Sequence, residues 1–147
     1  MAVLFTAEWA EEVRAAVDRG PDEELRAAKL PAYWGWIDAV RASYSSSWAL
    51  GVCDLPGGGS VYLRLGWKDG TCADAAIVGP DDPLDATYLL AADFATWRDL
   101  LAGEDPGRIV MYRRMRLEEG DVLRFFRGIY FFVESVAAIG RVPAEMP

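Results

Sequence analysis

Two acidic groups, Asp81-Asp82 with Asp85 and Glu118-Glu119 with Asp121, are the first candidates for metal binding or acid–base work in this 147-residue sequence. A calcium loop needs spaced oxygen ligands around a fixed glycine, and neither group has that spacing. Turn and helix-cap chemistry accounts for both. The run Gly57-Gly58-Gly59 would cradle a phosphate if a helix followed it, but a strand pattern follows, so it reads as a hairpin connection. Cys53 and Cys72 fall on strands expected to be separated by the strand Val61–Trp67, which argues against a disulfide. No base or cation is placed to activate either thiol, and both read as small buried hydrophobes. Ser45-Ser46-Ser47 has no partner that would make a nucleophile.

The sequence contains no histidine. That removes Ser-His-Asp and Cys-His catalysis, the usual base near neutral pH and nearly all zinc sites, since two cysteines alone cannot complete one. No catalytic residue, no metal and no cofactor is implied, and the expectation is a protein that is not an enzyme. The net charge of -8 repels a phosphate backbone, so nucleic acid is not an expected partner. Residues 108–147 nevertheless carry seven arginines against five acidic side chains. Their ordinary reading is a solvated helix face; the rival is contact with an anionic headgroup or an acidic protein.

A length of 147 residues and a hydrophobic fraction of 52% suit one domain, spanning residues 1–147, and exclude a disordered chain. Met1 to Phe5 lacks a basic leader and a cleavage pattern, and the apolar stretch Val122 to Ile139 is interrupted by Arg124, Arg127 and Glu134. Neither a signal peptide nor a spanning helix is expected, and the chain reads as cytoplasmic. Scarce lysine beside abundant arginine and alanine points to a GC-rich bacterial source.

The elements follow from periodicity and punctuation. Thr6 caps a first helix that Gly20-Pro21 ends, with Trp9, Val13, Ala16 and Val17 on one face. A short helix fits Asp22 to Leu30, and Tyr33 to Ser43 leans to helix over strand. Ser47 to Leu55 reads as a strand, and Val61, Leu63, Leu65 and Trp67 alternate clearly with polar or small residues. Asp69-Gly70 supplies a type I′ turn. Thr71 to Val78 pairs back, with a one-residue bulge that brings Ala73, Ala75 and Ile77 inward. Asp85 to Ala91 is a further strand. Phe94, Trp97 and Leu101 lie at helical spacing before Gly103, and Asp105-Pro106 restarts a helix. Met115 and Leu117 alternate with Arg114 and Arg116 in a fifth strand, and Gly120-Asp121 opens a last helix running to about Gly140.

That last helix is too apolar for its place. Val122, Phe125, Phe126, Ile129, Phe132, Val133 and Val136 fill one broad face, and Leu123, Tyr130, Phe131 and Ala137 extend well beyond it. A helix packed on one sheet needs an apolar stripe of only about 100°. The excess must meet a second core layer, a partner subunit or an apolar ligand.

The order of elements resembles the sterol carrier protein family. The carriers of the likeness are Val61 to Leu65, Asp69-Gly70, Ala86 to Leu90, and above all Asp93-Phe94, Trp97, Leu100-Leu101, Gly103, Pro106, Met111, Leu117 and Gly120-Asp121. Glu8-Trp9 is similar to the opening helix of its bacterial stand-alone members. The resemblance implies an α+β fold whose five-stranded, largely antiparallel sheet is covered by helices enclosing a hydrophobic cavity or tunnel. It implies binding or transfer of a sterol, fatty acid or acyl-CoA-like lipid without catalytic residues. The expected walls are Phe94, Trp97, Leu101, Met111, Phe125, Phe126, Ile129 and Val133, with Arg113, Arg114 or Arg116 available to an anionic headgroup. The family often has a glycine before the last strand, where this chain has Arg113-Arg114. A protein-interaction module that dimerises over a collapsed cavity is the alternative, an enzyme acting on an apolar substrate through Asp, Glu or Tyr a more distant one, and transient membrane contact is compatible with the carrier.

Overall fold

The computed structural model describes residues 1–147. In chain order it contains α1 (Ala7–Arg19), α2 (Glu23–Ala27), α3 (Pro31–Arg41), β1 (Ser46–Val52), β2 (Val61–Lys68), β3 (Thr71–Val78) and β4 (Tyr88–Ala92). There follow α4 (Phe94–Leu101), α5 (Pro106–Met111), β5 (Arg116–Glu119), α6 (Val122–Arg127) and α7 (Ile129–Gly140). The five strands form one sheet in the order β3-β2-β1-β4-β5, antiparallel throughout except for the parallel pair β1–β4.

Side chains that cap helices were set by the sequence. The Thr6 hydroxyl accepts from the Trp9 N–H, and Asp22, Asp93, Asp105 and Asp121 each accept a backbone N–H at the start of their own helix. Asp69 and Gly70 both take positive φ, 49° and 81°, as the expected hairpin turn needs. The bulge is present, between the pairs Gly66–Asp74 and Trp67–Cys72. Its effect differs from expectation: Ala73 is the extra residue and stays exposed, while Cys72 turns inward opposite Trp67. Ala75 and Ile77 keep the inward places opposite Leu65 and Leu63.

Several boundaries also move. The strand expected from Asp85 begins at Tyr88, because Asp85 itself adopts φ 47° in the preceding turn. The fifth strand begins at Arg116; the Met115 N–H is instead drawn back to the Ile109 carbonyl at 3.3 Å, and Arg113 sits in the left-handed region at φ 61°. That conformation is strained for an arginine and natural for a glycine. Cys53 lies just beyond β1 and is exposed, contrary to its reading as a buried hydrophobe; Cys72 is buried as expected, and both are free thiols.

The largest correction concerns the last helix, which is two helices. Gly128 ends α6 and begins α7 at φ -107°, ψ 21°. Glycine is a poor helix former, and here its N–H bonds to the Phe125 carbonyl at 3.1 Å in a tightened final turn. The break divides the apolar surplus. On α7, Ile129, Phe131, Phe132, Val133, Val136, Ala138 and Ile139 are all buried, because the helix is flanked by α1, α3, α4 and α5. On α6 only Phe125 is buried, so Val122 and Phe126, expected on a covered face, are exposed.

Two aromatic clusters anchor the helices. Phe131 meets Trp67, Tyr44 and Trp48 at ring distances of 5.0, 5.1 and 5.9 Å, pinning α7 to the sheet and to the end of α3. Phe5, Trp9 and Trp97 form the other cluster, joining the N-terminal segment, α1 and α4. The opposite sheet face is partly roofed by the 79–87 loop, whose Leu84 and Asp85 carbonyls accept from the Arg64 guanidinium at 2.9 and 3.1 Å.

Candidate functional site

Several of the polar groups in the acidic and serine runs do structural work. Asp121 caps α6, and the Asp85 carbonyl accepts from Ser47 as well as Arg64. The Ser45 hydroxyl accepts the Asp69 N–H at 2.9 Å and so braces the hairpin turn. Burial pushes the Cys72 thiol up to about 12, which leaves it protonated and a poor nucleophile. No group of three or more His, Cys, Asp or Glu side chains is assembled to hold a metal ion.

Apolar concavity is found where α3 lies against the α6–α7 joint. A groove of about 490 Å³ runs between Trp36, Ile37 and Val40 of α3 and Phe126, Ile129 and Phe131 of the last two helices. Its single charged lining residue is Arg127. Gly128, at the helix break, lines this groove, and its bare Cα faces Val40: a Cβ there would lie 3.5 Å from the valine methyl. A second groove, of about 590 Å³, lies on the other side of Tyr130 between α2, α5 and α7. Tyr33, Met111, Val133 and Ala137 supply apolar wall, and the charged lining is mixed, with Lys29, Arg108 and Arg141 beside Asp105 and Glu134.

Tyr130 lines both grooves, and its ring meets that of Tyr33 edge-on at 5.6 Å. The Tyr33 hydroxyl donates to Glu134 Oε2 at 3.2 Å, and Lys29 Nζ donates to the same oxygen at 3.3 Å. Lys29 Nζ also lies 4.5 Å from the centre of the Tyr33 ring. Burial, followed by the Glu134 charge, raises the Tyr33 hydroxyl above its ordinary range, so it stays a donor at neutral pH. Burial alone would lower the Lys29 ammonium, but Glu134 and Tyr33 outweigh it and hold Lys29 above its ordinary value. The cluster is a charged clasp between the α2–α3 connection and α7.

Of the side chains expected as walls, Phe126 and Ile129 line the first groove, and Met111 and Val133 line the second. Phe125 is buried beneath α6, against Tyr88 and Phe132 at 5.2 and 5.0 Å. Phe94 and Leu101 are half-buried on α4, and Leu101 borders a recess under the C-terminal segment. Trp97 is fully buried in its aromatic cluster and donates its indole N–H to the Gly51 carbonyl at 3.0 Å. The arginines named for a headgroup are placed elsewhere: Arg114 pairs with Asp99 at 2.7 Å, Arg116 with Glu118 at 3.9 Å, and Arg113 is on an exposed turn. The α3 contributions, Tyr33, Trp36 and Val40, were not identified as walls. Their signal was present in the Trp36–Val40–Tyr44 spacing, but the segment was ambiguous between helix and strand.

No protein-family model and no curated protein sequence matches the chain. Among solved structures, it is similar to a crystal structure of sterol carrier protein 2, with a TM-score of 0.73 and 23% identity over 95% of this chain and 99% of that one. It is likewise similar to the solution structure of a conserved hypothetical protein from Thermus thermophilus, with a TM-score of 0.70 and 21% identity over 99% of this chain and 93% of that one. The likeness expected from the order of residues is therefore present in the fold over nearly the whole chain.

Proposed function

We propose that this chain, which shares its fold with sterol carrier protein 2, binds an apolar ligand such as a sterol, fatty acid or acyl-CoA-like lipid and acts as a carrier rather than an enzyme. The observation that carries this reading is the apolar groove at the α6–α7 break, walled by Trp36, Ile37, Val40, Phe126 and Ile129. Its volume of about 490 Å³ is within the ordinary range of small-molecule sites. Binding there is driven by removing apolar surface from water, about 25 cal/mol per Å² before the cost of ordering the ligand. Met111 and Val133 continue the wall beyond Tyr130, where Arg108 and Arg141 suit the polar end of a longer ligand. Neither groove is lined by a cysteine, a serine or a histidine, which favours a carrier over an enzyme that uses such a nucleophile or base.

Native mass spectrometry of the purified protein, followed by displacement of a fluorescent fatty acid, tests the reading. Val40→Trp fills the groove from a half-buried position and is expected to weaken the probe at least tenfold with little change in melting temperature. Absence of any bound or displaceable lipid, or undiminished binding by the Val40→Trp protein, would count against a carrier site here.

A further inference from the structure

The exposed apolar surface of this protein is gathered rather than scattered. Val122, Leu123 and Phe126 of α6 are exposed by 55, 76 and 51%, and Trp36 and Tyr130 beside them by 71 and 49%. Phe126, Trp36 and Tyr130 border one groove, and Leu123 and Phe126 are neighbours one turn apart. Isolated exposed hydrophobes are common, but a contiguous group of this kind marks a contact surface. Between these side chains, Arg124 and Arg127 are exposed and take part in no ion pair, although other arginines of the chain do.

The combination selects the partner. A second copy docked across a twofold would gather four like charges, Arg124 and Arg127 from each subunit, in one interface. An acidic protein would satisfy the arginines but has no general reason to receive large aliphatic and aromatic side chains beside them. An anionic bilayer offers phosphates for Arg124 and Arg127 and, a few ångströms deeper, hydrocarbon for Leu123 and Phe126. Trp36 and Tyr130 are of the two types that settle at the headgroup level. The net charge of -8, with Glu118, Glu119 and Asp121 exposed just ahead of α6, opposes such a surface, so the attraction must come locally from Arg124 and Arg127.

We infer that α6 and the adjoining edge of α3 dock the protein reversibly on anionic lipid bilayers. Leu123 and Phe126 enter the headgroup–acyl boundary, and Arg124 and Arg127 contact lipid phosphates. Docked in this way, the groove at the helix break faces the membrane. The inference stands on surface side chains and does not require that the groove hold a ligand.

Co-sedimentation of the full chain with vesicles tests it, using phosphatidylcholine alone and equal parts phosphatidylcholine and phosphatidylglycerol. Binding is expected to the anionic vesicles and to fall as salt rises. Arg124→Gln should weaken it about fivefold, and Leu123→Ser about tenfold or more. Both side chains are exposed and lie outside the groove, so melting temperature and displacement of the fluorescent fatty acid should be unchanged in each variant. Failure of the wild type to sediment with anionic vesicles, or variants that sediment as well as it does, would overturn the inference. So would a finding that Leu123→Ser abolishes only a concentration-dependent dimer. Vesicle binding without fatty-acid binding would remove the carrier reading and leave the docking surface intact; the reverse would remove only the docking surface.

Discussion

Replacing Trp97 by phenylalanine separates core from binding surface. The indole N–H donates to the Gly51 carbonyl at 3.0 Å in surroundings with no solvent exposure. Phenylalanine cannot make that bond, and an unpaired buried acceptor costs about 1–3 kcal/mol. The smaller ring also leaves a void where the indole meets Phe5 at 5.1 Å and Trp9 at 6.3 Å, adding about 1–2 kcal/mol. The total of about 2–5 kcal/mol is a large share of the stability of an ordinary domain. At this chain length it corresponds to a fall in melting temperature of roughly 5–15 °C. Urea titration followed by circular dichroism should show a lower midpoint with an unchanged slope. Trp36, 71% exposed on the groove, provides the contrast. Trp36→Ala should change stability by less than about 0.5 kcal/mol and weaken fatty-acid displacement, whereas Trp97→Phe should leave displacement unchanged. A Trp97→Phe protein with wild-type stability and impaired ligand binding would refute the assignment of Trp97 to the core.

Gly120→Ala should destabilise by about 2–5 kcal/mol, because φ is 124° and an added Cβ would lie 2.6 Å from a Tyr88 ring carbon and 2.9 Å from the Thr87 carbonyl oxygen; thermal melts measure the loss. Asp93 caps α4, and its carboxyl is held below the ordinary aspartate value of 3.8 by the Thr96 hydroxyl and N–H. A lowered carboxylate stabilises the fold fully above its unfolded value and loses that contribution as pH falls through the lower folded value. Asp93→Ala should therefore cost about 1 kcal/mol near neutrality and progressively less below pH 3.8, as urea midpoints across the acid range would reveal. Thiol labelling at mild alkaline pH should modify the exposed Cys53 in the native protein and reach the buried Cys72 only on unfolding; native modification of both would contradict the packing of β3.

Features governed by a few adjacent residues were readable in the chain. The alternation through Val61 to Trp67 requires one buried face, and Asp69-Gly70 closes its hairpin with two positive φ angles. The caps at Thr6, Asp105 and Asp121 follow from side chains that reach only their own helix. The grooves were half readable. Phe126, Ile129, Met111 and Val133 come from helices with evident apolar spacing, whereas Tyr33, Trp36 and Val40 come from a segment whose period was ambiguous.

By itself, then, the sequence determined the strands, most helix starts, a surplus of apolar side chains after Gly120, and a chemistry without histidine. Only the tertiary structure decided what covers that surplus. The break at Gly128 sends α7 among α1, α3, α4 and α5 and leaves α6 open to solvent. Periodicity shows that a face is apolar, but covering it depends on partners far away in the chain. Glu134 meets Tyr33 and Lys29 across 101 and 105 residues. Contacts remote in sequence also separate the two roles of tryptophan here: Trp97 is core because the chain folds Phe5 and Trp9 over it, and Trp36 is surface because nothing does.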